Sequence, residues 1–180
     1  MKPTITICSD AGHKNYHKKG IGTWACYIRT PTKTIKQSGI IKQSVKGSTH
    51  AEQYGIANAL FLADKAEDLS KFRVIVYCDN LFALRHRGKI NHTPKSKYYA
   101  KEVEQKEFFD TYIKPYVDKC AEYETRHVKG HLEQENWQSG ARNFMNDWCD
   151  TEAKRLMRLA LRARMEEVRS ERAEADQTGI

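Results

Sequence analysis

A chain of 180 residues, with 39% hydrophobic and 30% charged residues and a mean hydropathy of −0.76, is long enough to close one hydrophobic core. No stretch reaches the ~18 apolar residues of a membrane span, and Met1-Lys2-Pro3 runs into strand-like sequence without the apolar core of a signal peptide. The net charge of +8, from 31 Lys and Arg against 23 Asp and Glu, points to a polyanionic partner.

The first predicted strand is Thr4–Asp10, where Thr and Ile alternate before Ser9-Asp10 and a turn at Gly12. Strands Thr23–Arg29 and Thr34–Ile41 follow as an antiparallel meander. The spacing then becomes helical over Ser48–Glu67, with Ala51, Tyr54, Gly55, Ala59, Leu62 and Ala63 on one stripe. Arg73–Asp79 is a continuous apolar run of strand length, the pattern of a central strand buried on both faces. Asn80–Arg87 reads as a short helix, and Lys101–Cys120 as a helix broken around Pro115. Glu122–Val128 is the last predicted strand. Helical spacing returns from Ala141, with Phe144, Met145, Trp148, Cys149, Ala153, Leu156 and Met157 on one face.

This order predicts an α/β fold: a mixed five-stranded sheet, three antiparallel strands and then parallel ones, with helices on both faces. Residues 1–160 are expected to make one domain. Residues 161–180, with alternating charges and few apolar side chains, are expected as a helical tail outside the core. The five cysteines (Cys8, Cys26, Cys78, Cys120, Cys149) are odd in number and form no CxxC pair. They argue against a disulfide framework and a zinc site, and for a reducing, cytoplasmic setting.

The distribution of charge says more than its sum. Ala11–Ala51 holds eight bases and no acid, and Asn80–Lys101 holds six bases and no acid. Together they carry fourteen positive charges, so the rest of the chain stands at minus six. Two long acid-free runs favour a phosphate-binding surface over a merely solvated face. Carboxylates bracket both runs: Asp10 and Glu52 the first, Asp79 and Glu102 the second.

A parallel crossover would bring the ends of the first and fourth strands together, and with them Asp10 and Asp79. Glu52 lies in the first turn of the following helix, and Asp150 lies beside Cys149 on the last helix. Anions gathered in one groove repel unless a cation joins them, and hard oxygen ligands suit magnesium, with manganese as the alternative. Each residue also has a plainer reading. Asp10 can start a turn, Asp79 can cap a helix, Thr49-His50-Ala51-Glu52 spells a capping box, and Asp147 competes with Asp150 from one turn away.

Taken together these segments resemble type 1 ribonuclease H over roughly Thr4 to Arg155. The resemblance rests on Ser9-Asp10-Ala11-Gly12, Gly20-Ile21-Gly22-Thr23-Trp24, Ser48-Thr49-His50-Ala51-Glu52, Cys78-Asp79-Asn80, Val128-Lys129-Gly130-His131 and Asn146-Asp147-Trp148-Cys149-Asp150. It implies that Asp10, Glu52, Asp79 and Asp150 hold two magnesium ions, and it selects Asp150 over Asp147. His131 is then expected to assist proton transfer or product release.

The implied substrate is an RNA–DNA hybrid, cut in its RNA strand to leave 5′-phosphate and 3′-hydroxyl ends, by a monomer with no membrane partner. Backbone around Ala11, Gly12 and Gly22 would read the minor groove. Ser48, Thr49 and Asn80 complete the expected contacts, with Lys89, Lys95 and Lys97 on the basic stretch. Here Ala11 stands where the family has glycine, and the loop after His131 is longer and more acidic. The competing readings are a junction resolvase or exonuclease on the same fold, and a non-catalytic nucleic-acid-binding module.

Overall fold

The structure, a computed structural model, describes residues 2–85, 90–128 and 140–178. Its strands are β1 (Thr4–Tyr16), β2 (Lys19–Arg29), β3 (Thr34–Ile41), β4 (Arg73–Cys78) and β5 (Glu122–His127). They form one sheet in the order β3-β2-β1-β4-β5. The β1–β2 and β2–β3 pairs are antiparallel, and β1–β4 and β4–β5 are parallel, as the sequence pattern predicts.

Successive side chains of a strand point to opposite faces, and here both faces are apolar. Ile5, Ile7, Ile28, Val74 and Val76 meet Ile56, Ala59, Leu60 and Ala63 of helix α1 (Ser48–Ala66). On the other face Cys8, Ala25, Ile75 and Tyr77 meet Met145, Cys149 and Ala153 of helix α5 (Gly140–Thr178). The continuous apolar run of β4 follows from its place between two covering layers.

Three boundaries differ from those read in the sequence. β1 does not turn at Gly12 but continues to Tyr16, paired with β2 as far as Tyr16↔Lys19. The reversal falls at His17-Lys18, both at positive φ (46° and 62°), the backbone of a tight two-residue hairpin. Glycine stands at position 12 for a different reason. A Cβ there would lie 2.8 Å from Thr23 Oγ1 and 3.2 Å from the methyl group of Met157, so its absence admits α5 against the strand.

The helix read over Lys101–Cys120 is α3 (Tyr99–Phe108), a π-helical turn at Phe109–Ile113, and α4 (Lys114–Val117). Pro115 removes a donor and crowds the carbonyl four residues earlier, and the widened turn relieves that conflict. Between β4 and α3 lies the short helix α2 (Leu81–Arg85).

The last difference concerns α5, which is one unbroken helix of 39 residues. It does not leave the sheet at residue 161: Leu161 packs with Ile21, Met157 and Ala160, and Val168 is buried. Among the described residues, no helix is long and apolar enough to cross a membrane.

Gly55 sets the distance between α1 and the sheet. A Cβ on it would lie 2.5 Å from Ser9 Oγ, a buried hydroxyl with no hydrogen-bond partner. Helix propensity alone favours alanine at such a site by about 1 kcal/mol, but the clash reverses the sign. Gly55→Ala is expected to destabilise the protein by about 1–3 kcal/mol. Ser9→Ala, which removes an unsatisfied buried hydroxyl, is expected to be neutral or stabilising. The pair combined should recover most of the Gly55→Ala loss in urea denaturation. Simple additivity of the two changes would show that the close approach is not what selects glycine.

Candidate active site

The site lies in a notch of the sheet. β1 pairs with β4 only up to Cys8↔Tyr77, because β4 ends at Cys78, while β1 and β2 run on together. Asp10 sits just beyond that end, opposite Ala25 of β2, and is almost fully buried. Asp79 follows the last residue of β4. The sequence expectation that strand ends bring these two together is met: the charge of Asp79 acts on Asp10.

Glu52 enters from α1, one turn before Gly55. The capping box does not form: the N-cap position is Gly47, and no side chain caps the helix. Instead the buried Glu52 carboxyl shares a hydrogen bond with Asp10 and accepts one from Cys78 Sγ at 3.5 Å. Ligand atoms of Glu52, Cys78 and Asp79 all lie within 4.8 Å of one another. Nor does Asp79 cap α2. Asn80 does so, its Oδ1 accepting from the amides of Phe82 and Ala83 at 3.0 Å.

Asp150 completes the group from α5. Its charge is felt at Asp10, and it forms an ion pair with Lys154 at 2.7 Å. Asp147, the alternative from sequence, is exposed. Four contacts hold α5 in this rotation. Thr23 Oγ1 donates to the Ala153 carbonyl (2.9 Å), Cys149 Sγ to the Cys8 carbonyl (3.5 Å), and Ser38 Oγ to Glu152 (2.8 Å). The fourth is Lys36, whose ammonium lies 4.8–5.6 Å from the ring centres of Tyr27, Phe144 and Trp148.

Burial, then the charges of Asp79 and Asp150, push the Asp10 carboxyl up to about 7 from 3.8. Burial and the charges of Asp10 and Asp79 push Glu52 well above the usual carboxylate range. Two buried carboxyls joined by a hydrogen bond, with two more acids beside them, hold a proton where a cation would satisfy the same oxygens. The residues present therefore fit a divalent cation: Glu52 and Asp79 offer oxygens within 4.8 Å of one another, and the charges of Asp10 and Asp150 lie beside them.

Other expected residues are placed less centrally. The Ala11 amide is taken by Asp10 Oδ1 at 2.7 Å. Gly12 lies between Thr23 and Met157, and Gly22 is buried against Val45. Ser48 is exposed on the first turn of α1, and Thr49 is buried beside it. Lys95 and Lys97 are exposed in the segment before α3, with Lys97 over the Tyr98 ring at 5.0 Å. Glu102 ties that segment down, accepting from the Asn91 and His92 amides at 2.9 Å and pairing with the His92 ring at 2.8 Å. His131 and Lys89 lie outside the described residues.

Two contributors were missed in the sequence. Cys78 donates to Glu52, and the His127 ring lies 3.0 Å from the Asp79 carbonyl, tying the end of β5 to the turn after β4. The second follows from the parallel register Cys78↔His127, which the sequence alone does not give.

In the metal-free protein the raised Asp10 carboxyl favours the folded state at low pH. That contribution is complete below 3.8 and is lost as pH rises through about 7. Carboxylates such as Glu124 and Glu152, held down to about 2 by their arginine partners, act with opposite sign at lower pH. Comparison with a variant isolates the first effect. Urea denaturation of Asp10→Asn in chelator should show less loss of stability between pH 4 and pH 7 than the parent, by a few kcal/mol. Parallel pH profiles for the two proteins would disprove the burial account.

No protein-family model matches the sequence, and no curated protein matches it. Solved structures do. The fold is similar to the N-terminal RNase H domain of Rv2228c from Mycobacterium tuberculosis, with a TM-score of 0.58 and 14% identity over 89% of this chain and 98% of that one. RNase H1 from the halophilic archaeon Halobacterium salinarum NRC-1 gives 0.54 and 14%, over 87% and 99%. LC11-RNase H1, solved with an RNA/DNA hybrid, gives 0.51 and 13%, over 85% and 99%. At this identity the likeness bears on architecture, and on that point it agrees with the sheet order and helix placement: the chain has the fold of type 1 ribonucleases H.

Proposed function

We propose that this protein is an endoribonuclease that hydrolyses the RNA strand of RNA–DNA hybrids, leaving 5′-phosphate and 3′-hydroxyl ends. The observation that carries the reading is the convergence of Asp10, Glu52, Asp79 and Asp150 in one notch, with Asp10 and Glu52 buried. A module that only bound nucleic acid would gain nothing by collecting anions where phosphates must approach. The notch belongs to a fold whose solved neighbours are RNase H domains, one of them in complex with an RNA/DNA hybrid.

In this reading the four carboxylates would hold two divalent cations, magnesium in the first instance. Bound there, such a pair activates a water and stabilises the leaving 3′-oxygen of an in-line displacement. The residues of the chain do the rest. Asp10 and Glu52 give up their shared proton as the site is filled, so binding strengthens as pH rises through about 7. Asp150, paired with Lys154 at 2.7 Å, would be a further oxygen donor to such a cation. Cys78 keeps one Glu52 oxygen oriented, and His127 fixes the backbone from which Asp79 projects.

Substrate contacts fall at the first turn of α1, where Ser48 is exposed and no acid precedes the helix, and at Lys95 and Lys97. Residues 1–160 form the catalytic unit, and α5 runs on beyond them to Thr178, still packed at Leu161 and Val168.

A gel assay on a labelled RNA–DNA hybrid tests this. Cleavage is expected with magnesium and not with chelator, and Asp10→Asn or Asp79→Asn should lower it at least about a hundredfold while hybrid binding persists. Near-parental turnover in either variant would exclude the assignment. Stronger cutting of duplex DNA or a four-way junction would favour a different nuclease on this fold. Hybrid affinity should also fall with salt, with a log–log slope of roughly −0.9 per phosphate contact if duplex-DNA behaviour holds.

A further inference from the structure

Away from the notch, an open groove of about 420 Å³ runs between the end of β3, the middle of α1, and α3–α4. Its aromatic lining is Trp24, Tyr54, Phe61, Phe108, Tyr112 and Tyr116; Lys42 supplies a cation and none of the lining residues is acidic. Such a groove is more than a gap in the core, because Phe61 and Tyr112 stand 41% and 53% exposed on its walls. Lys65 lies 4.5 Å over the Phe61 ring, which brings a second cation to the groove.

The groove is also continuous with the proposed cleft. His50, two residues before Glu52, packs on Tyr54 (5.0 Å between ring centres) and on Phe108 (5.2 Å). Phe108 in turn packs on Tyr54 at 4.7 Å and on Tyr112 at 4.8 Å. On α1, positions 50, 54, 57, 58 and 61 share one face at helical spacing. From His50 to Phe61 that face spans about 16 Å, at 1.5 Å per residue.

We propose that this groove binds single-stranded nucleic acid, such as the unpaired strand that flanks a hybrid. Aromatic faces at intervals stack bases without regard to sequence, and flanking lysines meet the phosphates. An acid-free lining favours that polyanion over a basic or neutral peptide. The bases between Ala11 and Ala51, Lys42 among them, carry the positive field toward the groove, although Lys46 is paired with Glu104. The groove lies outside the carboxylate notch, so the proposal holds whether or not the notch cleaves hybrids.

The test uses the full chain and a fluorescein-labelled oligothymidylate of about 20 nucleotides, read by anisotropy in chelator so that cleavage plays no part. Tyr112→Ala and Phe61→Ala, both at exposed positions, should each weaken binding about tenfold, with unchanged thermal melting. The same variants should cut a blunt-ended hybrid at the parental rate and bind an overhanging hybrid less tightly than the parent. Unchanged oligothymidylate affinity in both variants overturns the proposal. Preferential binding of an acidic peptide, lost in the same variants, would instead assign the groove to a protein partner. Loss of hybrid cleavage in the parent would count against the nuclease reading alone.

Discussion

The hydrogen bond between Asp10 and Glu52 is the interaction around which the rest of the molecule is arranged. Two carboxyl groups withdrawn from water, with Asp79 and Asp150 acting on them, form an arrangement that no chain adopts for stability. It persists because each acid is carried by a different element and none can move away alone. Asp10 belongs to a strand paired on both sides up to Cys8, Glu52 to a helix held tightly against Ser9 through Gly55, and Asp79 to the end of a buried strand. Local strain of this kind, supported by a well-packed surround, is the usual mark of a site built for a ligand.

The placement of the bases complements that centre. The acid-free runs put lysines on the β1–β2 hairpin, on the segment after β3 and on the segment before α3. Closer to the carboxylates, Lys154 pairs with Asp150 on α5. Glu102 shows how closely the two sets are managed. This buried acid turns its charge inward to the Asn91 and His92 amides, leaving the outer side of that segment to Lys95 and Lys97.

The mixed sheet, three antiparallel strands and then parallel ones, was legible in the sequence because it depends on short-range patterns. The alternation in Thr4–Asp10, the apolar run of β4 and the Cys-Asp pair on the last helix each survive without tertiary information. What was not legible depends on contacts between distant segments. The hairpin beyond Asp10 looked like a loop, since Gly12–Lys19 is polar and its glycine answers to Met157 and not to a turn. The apparent capping box failed for the same reason: Glu52 has a better partner across the sheet than its own helix end. Likewise, Asn80 took the cap that Asp79 could have filled, which no local rule decides between adjacent Asp and Asn.

The choice between Asp147 and Asp150 shows what the docking of α5 has to achieve. The two acids are three residues apart, so they differ by about 60° around the helix axis. An apolar stripe alone does not resolve such a rotation well, least of all one built from Met145, Cys149, Ala153, Met157 and Ala160, where small and flexible side chains tolerate a slip. The contacts that do resolve it are directional. Thr23 bonds the Ala153 carbonyl inside the core, Cys149 reaches the Cys8 carbonyl two residues from Asp10, and Ser38 holds Glu152. Lys36, lodged against Tyr27, Phe144 and Trp148, locks the helix start from the sheet edge. Cysteine next to the aspartate is thus part of the geometry: its sulfur sets the rotation that turns the following carboxylate toward Asp10 and leaves Asp147 in solvent.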